Sequence, residues 1–123
     1  MTRGSERWPV EIRLKKSEKA LEIVFDDGRA FTLPAEYLRV ESPSAEVQGH
    51  GPSQKQIVAG RKHVGILGIE PVGNYAIKIA FDDLHDTGIY SWTYLYGLGE
   101  NYAAIWAQYL AALEARGLKR EPR

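Results

Sequence analysis

The feature that most restricts the fold is a change of hydrophobic period along the chain. In YAIKIAF, residues 75–81, Tyr75, Ile77, Ile79 and Phe81 fall on one face while Ala76, Lys78 and Ala80 fall on the other, the alternation of a strand with one buried side. Val10, Ile12 and Leu14 alternate in the same way with Glu11, Arg13 and Lys15, and Leu21, Ile23 and Phe25 repeat the pattern after the turn KKSEK. Asp27-Gly28 suits a tight turn with positive backbone dihedrals, which predicts a hairpin into Ala30, Phe31 and Leu33. Toward the carboxyl end the period changes. Tyr102, Ile105, Trp106, Tyr109, Leu110 and Leu113 recur at steps of three and four, which makes one apolar helix face. Asn101 is its expected cap, and Gly117 its stop with Leu118 folding back. Strands and helix each have one face to bury, so the predicted class is α+β: two layers, a mainly antiparallel sheet packed against a C-terminal helix.

The remaining segments fit around this frame. PAEYLR, residues 34–39, predicts one helical turn begun by Pro34. Residues 40–62 have little periodicity and many turn formers, which predicts a long surface loop. Val64, Ile66 and Ile69 predict a strand in which Gly65 and Gly68 permit a bulge. GIYSW begins a further extended segment, in which Tyr90, Trp92, Tyr94 and Tyr96 alternate with Ser91, Thr93 and Leu95. Such aromatics pack between sheet and helix, with a homodimer interface as the alternative. One domain is expected over residues 8–118, with 1–7 and 119–123 as flexible tails.

Composition narrows the function. Sixteen basic side chains balance sixteen acidic ones, so no overall field draws the chain to nucleic acid or an anionic membrane. No cysteine is present, which removes disulfides, thiol catalysis and thiolate metal ligation. No run approaches the roughly 18 apolar residues that span a bilayer, and the amino end lacks a signal peptide's apolar run, so a cytoplasmic protein is expected.

Two stretches invite chemical readings. FDDLHDTGIYSW, residues 81–92, gathers Asp82, Asp83, His85 and Asp86, and carboxylates beside an imidazole can hold a cation or small ligand. The competing reading is a turn whose aspartates accept backbone N–H bonds while His85 bridges to SPSAEV, residues 42–47. GHGPSQK, residues 49–55, lacks the GKS or GKT ending of a phosphate loop. Its Gly49, His50, Gly51, Gln54 and Lys55 form a candidate partner-binding loop, with Arg61, Lys62 and His63 adding positive charge for an acidic partner. No G-x-S-x-G elbow accompanies His50, His63 or His85.

LPAEYLR, SPSAEVQGHG, IEPVGNYAIKIAFDD and HDTGIYSW, in this order, resemble the gamma-butyrobetaine hydroxylase-like amino-terminal domain, a domain of unknown function, over about Val10 to Leu98. The resemblance implies a domain that in larger members precedes a 2-oxoglutarate and iron dependent oxygenase, contributes to dimerisation there, and carries zinc on three cysteines and a histidine. It also implies free-standing bacterial members and fusions to P-loop iron-sulphur cluster carriers. Carried over one at a time, the cysteine positions fall on Ser42, Ser44 and Val47, and the histidine on His85. Hydroxyls are poor zinc ligands and valine is none, so a degenerate site without metal is expected. The oxygenase's His-x-Asp pair is absent, because His85 is followed directly by Asp86. Close relatives read DDGH where this chain has Leu84, and a leucine there is expected to avoid positive φ and to cover apolar surface beside Trp92. The function expected is a small non-catalytic accessory or protein-interaction domain without cofactor, linked to 2-oxoglutarate oxygenase or iron-sulphur protein metabolism. The alternative is a small-ligand or metal-binding module on His85 and its neighbouring aspartates.

Overall fold

The computed structural model describes residues 7–49 and 55–122. The architecture is α+β, with the alternating segments divided between two three-stranded antiparallel sheets rather than joined in one. The first holds β1 (Pro9–Lys15), β2 (Ala20–Phe25) and β3 (Ala30–Pro34); the second holds β4 (Ile66–Val72), β5 (Ala76–Phe81) and β6 (Gly88–Ser91). Between the sheets lie α1 (Ala35–Val40) and α2 (Ala45–Gln48), and after them α3 (Trp92–Glu100) and α4 (Tyr102–Ala115).

The two sheets are built alike. ALEIVFDDGR, residues 20–29, and AIKIAFDDLH, residues 76–85, agree in type at most positions, and their central strands bury the same alternate side chains. In each sheet the first strand carries one bulge, between Pro9 and Glu11 and between Ile66 and Gly68. The first bulge turns Val10 out to water, against the alternation expected of it. Registered rows then meet in the core: Leu14 with Leu21 and Leu33 in one sheet, Ile69 with Ile79 in the other. Both sheets, α1 and α3 share one apolar cluster, while Tyr109 and Leu113 of α4 pack with Val40, Ile57 and Val58 in a second.

Both central strands end in a three-residue loop. Phe25 N–H donates to Arg29 C=O at 2.8 Å, and Phe81 N–H to His85 C=O at 2.9 Å. Asp27 Oδ1 accepts from Arg29 N–H, as Asp83 Oδ1 does from His85 N–H. The last loop residue is left-handed in each: Gly28 at φ 88° and Leu84 at φ 73°. The expectation for Leu84 is therefore overturned. Its φ is positive and the side chain is 84% exposed, covering nothing.

Three further expectations are corrected. Residues 92–96 are helical, because Ser91 Oγ accepts Tyr94 N–H and caps α3; the aromatics still face inward, Tyr90 fully and the others in part. Asn101 does not cap α4 with its side chain; its Nδ2 donates back to Gly97 C=O and closes α3. Lys119 and Arg120, read as tail, are tied down: their carbonyls accept from Gly60 and Lys62 N–H, and Arg120 makes a two-pronged ion pair with the buried Glu36. At the end of α4, Leu118 N–H reaches Leu113 C=O across Gly117 at φ 65°, the expected stop. Among the described residues no helix is long and apolar enough to cross a membrane.

A left-handed leucine costs about 1–2 kcal/mol, and glycine's extra freedom in the unfolded chain gives back about half of that. Leu84→Gly is therefore expected to stabilise the protein by about 0.5–1 kcal/mol, raising the melting temperature by a few degrees. An unchanged or lower transition in calorimetry would contradict the assignment of strain to this residue.

Candidate functional site

Helix α1 is six residues long and buried along its whole length, so its C-terminal carbonyls need partners that water cannot supply. Two tyrosines provide them. Tyr90 O–H donates to Leu38 C=O at 2.6 Å, and Tyr94 O–H donates to Glu41 C=O. Tyr37 of α1 returns the contact by donating to Leu98 C=O of α3 at 2.7 Å, and Tyr109 donates to Val58 C=O at 2.6 Å. Burial pushes the Tyr94 and Tyr109 phenols up to about 12, so all remain donors at neutral pH.

The chain leaving α1 then meets the β5–β6 turn. Ser42 Oγ lies 2.9 Å from His85 Nε2, and Ser44 Oγ lies 2.7 Å from Thr87 Oγ1. His85 Nδ1 lies 3.0 Å from Glu46 Oε1. A carboxylate on Nδ1 assigns the proton to that nitrogen, so Nε2 accepts from the Ser42 hydroxyl. Ser42 Oγ in turn accepts from Ser44 N–H at 3.2 Å, and Ser44 Oγ caps α2 by accepting from Glu46 N–H. Val47 is buried beside them. The four positions that the resemblance equates with zinc ligands are thus gathered on facing segments of chain. Their donor set does not fit zinc: it offers one imidazole, two hydroxyls and an isopropyl group, and the imidazole's Nε2 is already bonded to Ser42.

Carboxylate, imidazole and hydroxyl stand in the order used by hydrolases, and no local spacing marks this, because Ser42 lies 43 residues from His85 in the chain. The hydroxyl is sealed. Ser42 is 0% exposed, and a Cβ added to Gly88 of β6 would lie 2.5 Å from its Oγ, so no substrate carbonyl fits against it. Glu46, by contrast, is mostly in water. The arrangement is a buried strut between two segments.

Asp83 forms a second strut beside the first. Its Oδ2 accepts from Arg39 Nε and from Arg61 Nε, each at 2.7 Å, while Oδ1 accepts the backbone N–H of His85 at 3.2 Å. Burial opposes ionisation of this carboxyl, but the Arg39 and His85 hydrogen bonds outweigh it and hold it below the usual range. Asp82 and Asp86 are exposed and take no part. The four residues of FDDLHD therefore do not converge: Asp83 touches His85 only through the backbone N–H that Oδ1 accepts, and its Oδ2 is given to two arginines. Among the described residues no three His, Asp or Glu side chains are placed to hold a metal ion. Of the expected loop, Gly49 ends α2 at φ 68° and Lys55 Nζ lies 2.9 Å from the buried Glu41; His50, Gly51 and Gln54 lie outside the described residues.

Fold and centre together define a class, a small α+β domain of two similar sheet-and-helix halves closed by a buried polar junction. The chain belongs to the family described as gamma-butyrobetaine hydroxylase-like, N-terminal, whose model matches residues 12–96. It is similar to a protein solved in solution by NMR, 46% identical, with 97% of this chain and 94% of that one covered and a TM-score of 0.84. A second NMR structure is 48% identical over 99% of this chain and 91% of its own, with a TM-score of 0.82. A crystal structure of a protein of unknown function from Acidithiobacillus ferrooxidans, placed in the DUF971 family, is 40% identical over 74% of this chain and 91% of that one, with a TM-score of 0.63. No curated protein matches the chain.

Burial, followed by the nearby Arg39 charge, lowers the His85 pKa below its ordinary value, against the smaller opposing pull of Glu46 and Asp83. A histidine depressed in the folded state contributes stability that is complete above about pH 6.5 and is lost as pH falls through the window below it, because only the unfolded chain takes up the proton there. Urea midpoints are expected to fall between pH 7.5 and 5.5, and His85→Gln to flatten that slope; an equal slope in the variant would refute the assignment. Gly88→Ala forces β6 away from Ser42 and is expected to cost about 1–3 kcal/mol, read as a lower urea midpoint; a neutral result would show that the two segments are not in contact.

Proposed function

We propose that the chain is a small non-catalytic accessory domain of the cytoplasm that acts through protein contacts, alongside 2-oxoglutarate oxygenase or iron-sulphur protein metabolism. The observation that carries this reading is the use made of its reactive side chains. Ser42 and His85, the hydroxyl and imidazole that chemistry would need, are 0% and 6% exposed and bonded to each other. A group whose hydrogen-bond capacity is spent inside the protein holds segments together and offers nothing to a substrate. The family supports the same reading through its description as the amino-terminal portion of hydroxylase-like proteins. Nucleic acid is not the proposed partner, since Arg39 and Arg61 are held together on Asp83 and Arg120 on Glu36 rather than spread along one face.

Contacts are assigned to the segment from Gly49 to Lys55 and to the outer face of the second sheet, where Ile89 lies exposed opposite Lys78. The first is the surface for a protein partner, and the second that for another copy of this chain. The alternative, a ligand or metal module on His85 and the aspartates, is disfavoured by the engagement of Asp83 with two arginines.

The test replaces residues 49–55 with a Gly-Ser segment of equal length and compares proteins that copurify with the untagged parent and the variant under identical conditions. A stoichiometric partner lost with the replacement, while the melting transition is kept, is the expected result. Retention of every partner by the variant, or turnover by the purified chain that His85→Gln abolishes, would contradict the proposal.

A further inference from the structure

Beyond the protein-contact reading, and independently of it, we propose that the chain binds an organic carboxylate at the groove between residues 59–61 and 117–122, recognised by Arg61 and Lys119. The groove encloses about 790 Å³ and is lined by Ala59, Gly60, Arg61, Leu118, Lys119 and Pro122, among others. Its walls are made by glycines in left-handed conformations, Gly60 at φ 72° and Gly117 at φ 65°, and by the backbone bond from Gly60 N–H to Lys119 C=O. A Cβ on Gly60 would lie 3.6 Å from Pro122 Cα, so the two segments run in close contact there.

The charge balance points to an anion. Arg39 and Arg61 share one carboxylate oxygen, Asp83 Oδ2, which leaves the cluster one positive charge in excess. Lys119 adds another in the groove, while Glu121 is paired with Lys62. Asp83 holds Arg39 and Arg61 to a common point, and Ala59 C=O fixes Arg61 by accepting from its Nη1 at 2.9 Å. A fixed guanidinium beside an ammonium on the same groove wall matches the two oxygens of a carboxylate. Ala59, Leu118 and Pro122 offer apolar surface to the hydrocarbon body that an organic carboxylate carries and inorganic phosphate lacks.

The experiment titrates the ¹⁵N-labelled, untagged full chain with hexanoate, with hexanol and inorganic phosphate as separate arms. Saturable shifts at the amides of Gly60, Arg61, Gly117 and Lys119 with hexanoate, and none with hexanol, are expected. Arg61→Ala is expected to weaken binding about tenfold, with a cooperative melt confirming its fold. Lys119→Glu, at an exposed position that Arg39 and Asp83 do not need, is expected to weaken binding several-fold in a protein of unchanged stability. A short peptide with a free C-terminal carboxylate, run against its amide, distinguishes a chain end from a small acid as the source. Tighter binding of the free peptide than of hexanoate assigns a chain end, weaker binding a small acid, and both support the site. Equal shifts with hexanol, tighter binding of phosphate, or affinity unchanged in both variants would overturn the proposal.

Discussion

The carboxylate of Asp83 is where three otherwise separate pieces of chain are held together. It sits in the β5–β6 turn, takes Arg39 from α1 and Arg61 from the segment before β4, and fixes its own loop by accepting His85 N–H. Once that loop is fixed, the His85 ring faces the chain leaving α1, and Ser42 closes the second contact. A buried ion pair of this kind gains little over an apolar pair of the same shape, but losing one partner leaves a charge unmatched and costs about 3–5 kcal/mol. Its contribution is to fix one arrangement of α1 against the second sheet.

Tyrosines do the same work with neutral groups. A six-residue helix has too few internal hydrogen bonds to stand alone, and α1 is stable because Tyr90 and Tyr94 occupy carbonyls at its end and Tyr37 anchors it to α3. Aromatic edges extend the contact, with Tyr37 against Tyr102 at 4.5 Å and Phe25 against Tyr96 at 5.0 Å between ring centres. The aromatics of GIYSWTYLY thus serve both sheets and both C-terminal helices. This explains why a segment with the alternation of a strand turns into a helix after Ser91: the cap ends the strand, and the helix presents Leu95 and Leu98 to the core.

Much of this was legible in the sequence. Period-two runs marked β1, β2 and β5, Asp27-Gly28 marked the hairpin into β3, the glycine-punctuated run around Val64, Ile66 and Ile69 marked β4, GIYSW marked β6, PAEYLR marked α1, and Gly117 marked the end of α4. The division into two sheets was written in the likeness of ALEIVFDDGR to AIKIAFDDLH, a signal that alternation alone does not expose because it describes each strand separately. That likeness also fixes Leu84: it occupies the place of Gly28, and the loop imposes the left-handed backbone on whichever residue stands there. The site was legible in part. The approach of SPSAEV to His85 came from the reading of the turn and from the resemblance, whereas the convergence of Arg39 and Arg61 on Asp83 joins residues separated by 44 and 22 positions and no local pattern marks it. Asn101 misled because a capping residue between two helices can serve either, and here it closes the one before it.

The junction between α1 and the β5–β6 turn is closed by hydroxyl, imidazole, guanidinium and carboxylate groups of the chain itself. Its most direct test is the thermal unfolding of untagged protein exhaustively stripped of metal, followed by circular dichroism with and without one equivalent of zinc. The account predicts a cooperative transition in the stripped protein at the same midpoint in both samples. A stripped protein that is unfolded, and regains its transition on adding a single equivalent, would contradict it.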